Sequence, residues 1–407
     1  MNHRVLYLSY DGMTDPLGQS QVLPYLFGLA AKGVCIHLVS FEKKEYAHDI
    51  PRIKALCEEN GVIWRPQKYT KKPPLISTIK DIQRMKKVAL RLHNTVNFDI
   101  VHCRSYITAI VGQSLQRKKG LKFVFDMRGF WADERVEGKI WDKNKPVFKR
   151  AYQYFKRKEI EFFNEADAIV SLTQKGKQEI KSWKNLPNLS KIEVIPCCVD
   201  LDHFHYKHIV NDTVNEKRKQ LSIAEDDFVL GYVGSIRTWY MLPEMLDYYA
   251  ALRQQKSKSK FLFISREPKE NIVGLAQEKG IPTDEIIVIG TTHNEVPIYA
   301  SLFDFSIFFI RPTFSKKASS PTKQGELMAL GIPIICNAGV GDTDLIIKEA
   351  NAGIVLENLN KESYQASSLV PSNYDKTKIR EGAEKWYSLK KGVEKYFDIY
   401  EELMRNK

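Results

Sequence analysis

Short apolar runs alternate with segments of helical periodicity along the chain. The first apolar run is residues 4–9, a helical pattern follows over 19–32, and a second apolar run occupies 34–41. Repeated strand–loop–helix–strand units of this kind are typical of a doubly wound parallel sheet, in which helices cover both faces. The pattern therefore predicts an α/β protein of Rossmann-like architecture.

Further buried strands are predicted in two sets, one in each half of the chain. They cover residues 98–101, 122–125, 165–173 and 192–196, and then 228–234, 261–265, 285–289, 303–309 and 333–336. Because 407 residues exceed what one ordinary core supports, we predict two domains. The first is predicted to span residues 1–204 and the second 205–385, and an amphipathic helix pattern covers 386–407.

The segment 319–337, SSPTKQGELMALGIPIICN, combines several signals for a ligand site. Its polar turn precedes a short helix that Gly331 is expected to end, and Ser319 and Ser320 are expected to cap the first amides. Free amides at a helix N-terminus, next to Lys323, suit a phosphate group. Glu326 lies one turn further on and can accept hydrogen bonds from sugar hydroxyls. On this local pattern alone, an ordinary loop–helix–strand unit remains the alternative.

Polar residues also follow two predicted strands of the first domain. His102 and Arg104 end one strand, and Asp126 and Arg128 end the next. Ligands of open α/β sheets bind at this carboxyl edge, so these residues are candidates for holding the transferred sugar or the acceptor. Two structural roles stay open: His102 as a buried structural histidine, and Asp126 as the partner that positions Arg128. Gly18 precedes the first helix pattern and would allow backbone to approach a ligand closely.

The net charge of +13 is unevenly distributed. The first 200 residues contain 35 Lys and Arg against 21 Asp and Glu, whereas the remainder contains 27 against 28. Nine of the basic residues lie between 65 and 91, where apolar residues recur at helical spacing (Ile79, Ile82, Met85, Ala89 and Leu92). This segment predicts a basic amphipathic helix at an anionic membrane surface, or alternatively a solvated lysine-rich face.

The six cysteines show no metal-ligand spacing, and no apolar run approaches the ~20 residues of a membrane span. No signal-peptide pattern precedes the first strand. We therefore expect reduced thiols and a cytoplasmic protein, peripheral at the inner membrane face. The loop after the first strand is not a G-x-G-x-x-G loop, which disfavours a dinucleotide dehydrogenase.

The pattern SPTKxGE-(x)4-GIPII closely resembles the nucleotide-sugar-binding motif of retaining glycosyltransferases of family 4, which have the GT-B fold. DPLGQSQVLPYL resembles the glycine loop of that family, FDMRGFWADERVEG a segment of some members, and VIPCCVDLDHF the exit into the interdomain linker. The resemblance implies two Rossmann-like domains facing across a cleft. It also implies that the terminal helix crosses back to the first domain.

The resemblance assigns Glu326 to the nucleotide ribose and the turn from Ser320 to Lys323, with Thr322, to the diphosphate. The family commonly has an Arg directly after the second-domain glycine and a Lys-Gly five residues later, but Ser235 and Tyr240 occupy those places here. Arg237 and Lys323 are therefore expected to supply the phosphate-binding charge. The donor-binding prediction comprises Gly18, Arg237, Ser320, Thr322, Lys323 and Glu326. The catalytic prediction comprises His102, Asp126 and Arg128.

The expected function is transfer of a sugar from a nucleotide sugar to a glycan or polyprenyl-linked glycan, in surface-polysaccharide synthesis. No cofactor or metal is expected; Asp342-Thr343-Asp344 would match the D-x-D signature of another glycosyltransferase fold, but so short an acidic pattern is common. Two alternatives remain. A GT-B-fold nucleotide-sugar epimerase would share the donor site, and a nucleic-acid-binding protein would use the basic half. We expect no nucleic-acid partner, because no stacking platform accompanies the basic residues.

Overall fold

The chain forms two compact units. The computed structural model describes residues 3–184, 186, 192–236, 238–367 and 369–405. The first unit comprises Met1–Pro196 with Leu389–Lys407, and the second comprises Cys197–Ser388. The division falls before residue 204 because Val199 belongs to the second unit: its backbone N–H donates to the Tyr387 carbonyl at 2.7 Å.

The first unit contains one parallel sheet, in the order β3-β2-β1-β4-β5-β6-β7. Its strands are β1 (Arg4–Ser9), β2 (Cys35–Glu42), β3 (Val62–Lys68), β4 (Ile100–Arg104), β5 (Lys122–Asp126), β6 (Ala168–Ser171) and β7 (Ile192–Val194). Ser9 pairs with Arg104, and Arg104 pairs with Asp126. The carboxyl ends of β1, β4 and β5 therefore meet at the point where the strand order reverses, which is where doubly wound sheets bind ligands.

Helices connect these strands. They are α1 (Pro16–Gln21), α2 (Leu23–Ala31), α3 (Ile50–Glu59), α4 (Ile76–Val96), α5 (Ser105–Lys119), α6 (Trp131–Glu137), α7 (Pro146–Glu165) and α8 (Gln174–Lys181). The single helix predicted over 19–32 is two helices, which meet at Val22, a residue whose backbone is outside the helical region. Pro24 lies in the first turn of α2, where its missing N–H leaves no hydrogen bond unmade.

The second unit contains a parallel sheet in the order β10-β9-β8-β11-β12-β13. Its strands are β8 (Phe228–Val233), β9 (Ser259–Ile264), β10 (Ile286–Ile289), β11 (Phe305–Phe308), β12 (Ile334–Asn337) and β13 (Gly353–Leu356). Its helices are α9 (Asn211–Gln220), α10 (Leu242–Gln255), α11 (Lys269–Glu278), α12 (Val296–Ala300), α13 (Thr322–Ala329), α14 (Thr343–Glu349), α15 (Lys361–Ala366) and α16 (Lys376–Trp386). The strand order reverses between β8 and β11, again at a switch point.

The last helix, α17 (Leu389–Arg405), belongs to the first unit and packs against α2. Its buried face comprises Val393, Tyr396, Ile399, Tyr400 and Leu403. The helical pattern predicted over 386–407 corresponds to α17, apart from Trp386, which ends α16 before a break at Tyr387 and Ser388. Each helix buries its apolar face in a different unit.

The predicted doubly wound α/β architecture is confirmed, and strands lie in every segment where a buried strand was predicted. Two strands were not predicted, β3 and β13, and both lie at a sheet edge. Strand β3 alternates buried and exposed residues at its start, and most of β13 is half-buried. In β3, polar residues interrupt the apolar run from Arg65 onward, whereas β13 is a short apolar run, GIVL, that was not assigned as a strand.

Candidate active site

Lys323 occupies the centre of the candidate donor site. It lies in the first turn of α13 and is buried, with 7% of its surface exposed. Its Nζ lies 3.9 Å from the centroid of the Tyr232 ring and 3.7 Å from that of the Tyr240 ring. No described residue forms a hydrogen bond with this amine. Burial lowers the pKa of Lys323 well below its ordinary value, and Glu326 opposes that shift only in part.

Gly234 lies beside the Lys323 amine. It follows β8 directly and has a φ of +107°, a conformation that favours glycine. A Cβ at this position would lie 3.4 Å from the Lys323 Nζ. The structure thus brings the end of β8 to the start of α13, as the donor-site hypothesis requires. Arg237, the other predicted phosphate ligand, lies outside the described residues.

The turn before α13 differs in detail from the prediction. Pro321 is the N-cap residue, and no side chain caps the helix. The Ser320 hydroxyl instead accepts a hydrogen bond from the Cys197 backbone N–H at 3.2 Å, so the predicted capping role for Ser320 is wrong. Thr322 is the first helical residue. Gly331 ends the helix as predicted, with a φ of +69° and a hydrogen bond from the Ile332 N–H to the Leu327 carbonyl at 3.0 Å.

Glu326 lies one turn further along α13, with 14% of its side chain exposed. Its Oε1 lies 3.7 Å from the His293 Nε2. The His293 ring stacks on His203 at 5.2 Å between centroids, nearly parallel at 14°. His293 also contacts Phe204 edge-on. Glu326 therefore presents a partly accessible carboxylate beside an imidazole pair, an arrangement that can accept hydrogen bonds from ribose hydroxyls.

Gly18 has a structural explanation within the protein. It lies inside α1 and is buried, and a Cβ there would lie 2.1 Å from the Gly12 carbonyl oxygen. The close approach that requires a glycine is therefore to the chain's own loop.

Sequence reasoning missed Glu42, which holds that loop: its buried carboxylate accepts hydrogen bonds from the Met13 N–H at 3.1 Å and the Thr14 N–H at 2.9 Å. A lone carboxylate at the end of an apolar strand was the available signal.

The predicted catalytic residues of the first unit lie together, but two of them are fully enclosed. The side chains of His102 and Asp126 are each only 1% exposed, and that of Arg128 is 9% exposed. The Asp126 Oδ2 lies 3.7 Å from the His102 Nε2 and 3.8 Å from the Arg128 Nη1, and it accepts a hydrogen bond from the Tyr396 hydroxyl at 3.0 Å. The open alternative of Asp126 as a positioning group for Arg128 fits this geometry, although the contact is not a bidentate pair.

Burial and charge set the protonation of this cluster. Burial alone would raise the pKa of the Asp126 carboxyl, but Arg128, His102 and Arg104 together hold that pKa below its ordinary value. Burial lowers the pKa of His102, which outweighs the opposing effect of Asp126. The pair is therefore an ionised carboxylate beside a neutral imidazole, and the His102 Nδ1 is 2.6 Å from the Tyr400 hydroxyl. Both tyrosines belong to α17, which sequence reasoning did not connect with these residues.

The buried face of the basic segment differs from the apolar face that the sequence predicted. Residues 76–96 form α4, whose buried positions are Ser77, Asp81, Met85, Ala89 and His93. Met85 and Ala89 therefore pack within the unit, whereas Ile79 of the predicted face is 55% exposed. The buried Asp81 anchors the helix, because its carboxylate accepts hydrogen bonds from the Thr70 N–H at 2.9 Å and the Tyr10 hydroxyl at 3.1 Å.

Neither a metal-binding cluster nor a membrane span is found in the described ranges. No three or more His, Cys, Asp or Glu side chains there are grouped to hold an ion. Asp342 precedes α14 and Asp344 lies in its first turn. No helix in the same ranges combines the length and the apolar character needed to cross a bilayer.

Comparisons with known proteins identify both halves of the chain. A family profile described as Glycosyltransferase Family 4 matches residues 25–203, and one described as Glycosyl transferases group 1 matches residues 213–370. A sequence comparison with curated proteins finds no match.

Solved structures show the same fold over the whole chain. Sucrose-phosphate synthase from Thermosynechococcus elongatus is 16% identical, with a TM-score of 0.75 and full coverage of both chains. A glycosyltransferase from Rickettsia africae ESF-5 is 14% identical, with a TM-score of 0.73 and full coverage of both. WaaG, a glycosyltransferase involved in lipopolysaccharide biosynthesis, is 16% identical, with a TM-score of 0.67 over 97% of this chain and 99% of its own.

Proposed function

Because the chain belongs to glycosyltransferase family 4 and has the GT-B fold, we propose that it transfers a sugar from a nucleotide-sugar donor to a glycan or lipid-linked glycan, with retention of anomeric configuration. The observation that supports this proposal most directly is the buried Lys323 amine, which no described residue pairs, beside Gly234 at the switch point of the second sheet. A buried amine without a partner is costly, and a bound anion would offset that cost by pairing with its protonated form.

The proposed site would stabilise the charge that develops as the bond between the donor sugar and the diphosphate breaks. When the anomeric carbon separates from the donor, negative charge grows on the departing diphosphate. We expect Lys323 and the first backbone amides of α13 to stabilise that charge. Glu326 holds the ribose and so aligns the diphosphate with the helix. The acceptor supplies a hydroxyl oxygen, which bonds to the anomeric carbon as the bond to the diphosphate breaks, and the hydroxyl proton passes to an oxygen of the departing diphosphate.

A screen of nucleotides and nucleotide sugars tests the donor site. A ligand present at a hundred times its Kd stabilises the folded protein by about 2.7 kcal/mol, which raises the unfolding temperature measurably. We expect at least one nucleoside diphosphate or nucleotide sugar to do so. Lys323→Ala and Glu326→Gln should each weaken its binding by about tenfold or more, because each removes a charged hydrogen-bonding partner.

Glu362→Gln on α15 is the matched control, since Glu362 is exposed and remote from α13. Equal nucleotide affinity in the two site variants and the control would refute the site assignment. Product analysis then separates the reaction classes: an epimerase would convert the donor sugar without an acceptor, and NMR of a transfer product reports whether configuration is retained.

We further propose that the first unit contacts an anionic membrane surface, at the inner face of a membrane, where a lipid-linked acceptor of surface-polysaccharide synthesis would lie. The support is the start of α4, where Ile76 is 54% and Ile79 is 55% exposed. Lys71, Lys72 and Lys80 are exposed beside them. Protruding aliphatic side chains flanked by lysines suit the boundary between acyl chains and anionic headgroups.

A further inference from the structure

Two arginines at the carboxyl edge of the first sheet have hydrogen-bond donors that no described residue uses. The Arg104 side chain, at the end of β4, is only 4% exposed, and its Nε donates to the Asp11 Oδ2 at 3.2 Å. Its Nη1 is buried and has no partner in the described part of the chain. Buried polar groups in native proteins are nearly always paired, so this donor points to a group that binds there.

Arg135 on α6 is the second arginine. Its guanidinium lies over the Trp131 ring, 4.5 Å from the centroid, and makes no hydrogen bond or ion pair with the residues described. Burial lowers the pKa of Arg135, and Glu134, Tyr69, Asp11 and Tyr10 oppose that shift in decreasing order. Asp11 is therefore close to both arginines. Stacking on an indole holds a guanidinium plane in place while leaving its N–H groups available to a ligand.

The backbone at this edge is also strained. Ser105, which follows Arg104, has a φ of +70°, and Arg128 has a φ of +55°. Each non-glycine residue in this region costs on the order of 1–3 kcal/mol, and such residues concentrate at ligand sites. The two residues follow the adjacent strands β4 and β5: Ser105 is the first residue of α5, and Arg128 comes two residues after β5. The backbone directly after Arg104 and at Arg128 itself is thus held in a locally unfavourable conformation.

We propose that Arg104 and Arg135 bind an anionic group, a phosphate or a carboxylate, carried by the acceptor. The assignment rests on the proposed glycosyl transfer and specifies the chemical class of its acceptor. A guanidinium binds either oxyanion through paired N–H groups. The Asp11 carboxylate would repel such a group, but Arg104 Nε already pairs with it. Tyr10 and Tyr69, whose rings lie 5.5 Å apart, provide an aromatic surface beside the anion for a sugar ring or a prenyl chain.

Calorimetric titration of the full-length protein with two probes tests the proposal. Farnesyl diphosphate represents a lipid phosphate, and methyl glucuronide represents an acidic sugar. The titrations use the Lys323→Met background, so that the diphosphate cannot bind at the donor lysine. We expect one probe to bind saturably and Arg135→Gln to raise its Kd at least tenfold, whereas Arg135→Lys raises it less. The probe that binds identifies the source of the anion.

Arg117→Gln is the matched control, because Arg117 lies on the surface of the same unit and pairs with Glu165. Arg104→Lys tests the buried donor, and its unfolding temperature reports whether the fold survives. If neither probe binds, or if Arg135→Gln binds as tightly as the control, the proposal is overturned. Thermal protection by nucleotide separates the acceptor-anion proposal from the donor-site proposal. If only the acceptor-anion proposal is wrong, nucleotide still protects both the native and the Arg135→Gln proteins. If the donor-site proposal is wrong, nucleotide does not protect the native protein either.

Discussion

At the scale of single residues, the proposed role of Lys323 as a phosphate ligand opposes the stability of the fold. Its amine is buried between two tyrosine rings without a hydrogen-bond partner among the described residues. The rings attract a cation, but the loss of hydration dominates, since the pKa of the amine falls well below its ordinary value. In the absence of a donor phosphate, the Lys323 amine therefore lies in an apolar environment that destabilises the fold.

We predict that Lys323→Met stabilises the nucleotide-free protein by about 1–3 kcal/mol, the cost of an unsatisfied buried polar group, and abolishes nucleotide protection. Methionine retains much of the ring contact. The added stability of the Lys323→Met protein should decrease as pH rises. Because the folded-state pKa is lowered, the unfolded chain binds more protons at pH values between the lowered and the ordinary pKa. The free energy of unfolding of the native protein therefore rises with pH in that window. The stability difference between Lys323→Met and the native protein becomes smaller as a result.

Denaturant unfolding at several pH values measures this difference. Lys361→Met, at an exposed position on α15, serves as the control and should change stability little. A Lys323→Met protein that is less stable than the native protein at neutral pH would show that the amine has a partner in the folded state.

At the scale of secondary structure, α17 determines the environment of the first unit's buried charges. Tyr396 donates a hydrogen bond to Asp126, and Tyr400 contacts His102. The same helix packs closely on α2, where Gly28 faces Val393. A Cβ on Gly28 would lie 2.6 Å from a Val393 methyl group, too close without movement of one helix. This glycine is therefore required by helix packing, although alanine would favour the helix itself.

We predict that Gly28→Ala destabilises the protein by about 1–3 kcal/mol through overpacking, despite its better helix propensity. Val393→Ala alone should also destabilise it, because it leaves a cavity. In the double variant the new methyl group occupies space that valine vacates, so the loss should be smaller than the sum of the two single losses. Chemical unfolding of the four proteins gives the coupling energy. Strictly additive losses would mean that α17 does not pack on α2 as described.

At the scale of the whole molecule, the net positive charge comes from the first half of the sequence. The first unit also exposes Ile76 and Ile79 beside exposed lysines, whereas Lys323 and Glu326 of the proposed donor site lie in the second unit. This distribution is consistent with a division of labour in which one unit binds the nucleotide and the other approaches the membrane and the acceptor. Electrostatic attraction to anionic lipid should then depend strongly on ionic strength.

We predict that the protein sediments with vesicles containing anionic lipid at low salt and is released as salt rises. Charge reversal of four exposed lysines should abolish sedimentation; the residues are Lys71, Lys72, Lys80 and Lys87. Arg84 is left intact because it donates to the Lys68 carbonyl and so supports the fold. The control reverses four exposed lysines of the second unit, Lys219, Lys269, Lys361 and Lys378. Vesicle binding that survives the first set, or that the control removes equally, would contradict the membrane proposal.

The sequence by itself determined the α/β class, most strands and the helix that carries Lys323 and Glu326. These features are local: buried parallel strands are continuous apolar runs, and Gly331 ends its helix through its own backbone freedom. Strand β3 escaped prediction because polar residues interrupt its apolar run from Arg65 onward, and the short apolar run of β13 was overlooked.

Only the tertiary structure decided how each polar residue is used. It placed two distant tyrosines around Lys323 and a C-terminal tyrosine on Asp126, and it buried His102 and Asp126 behind Arg128. In the folded protein, Met85 and Ala89 of the basic helix α4 are buried, whereas Ile79 is exposed. Burial, charge pairing and pKa depend on neighbours that are far apart in sequence, so no local pattern can specify them.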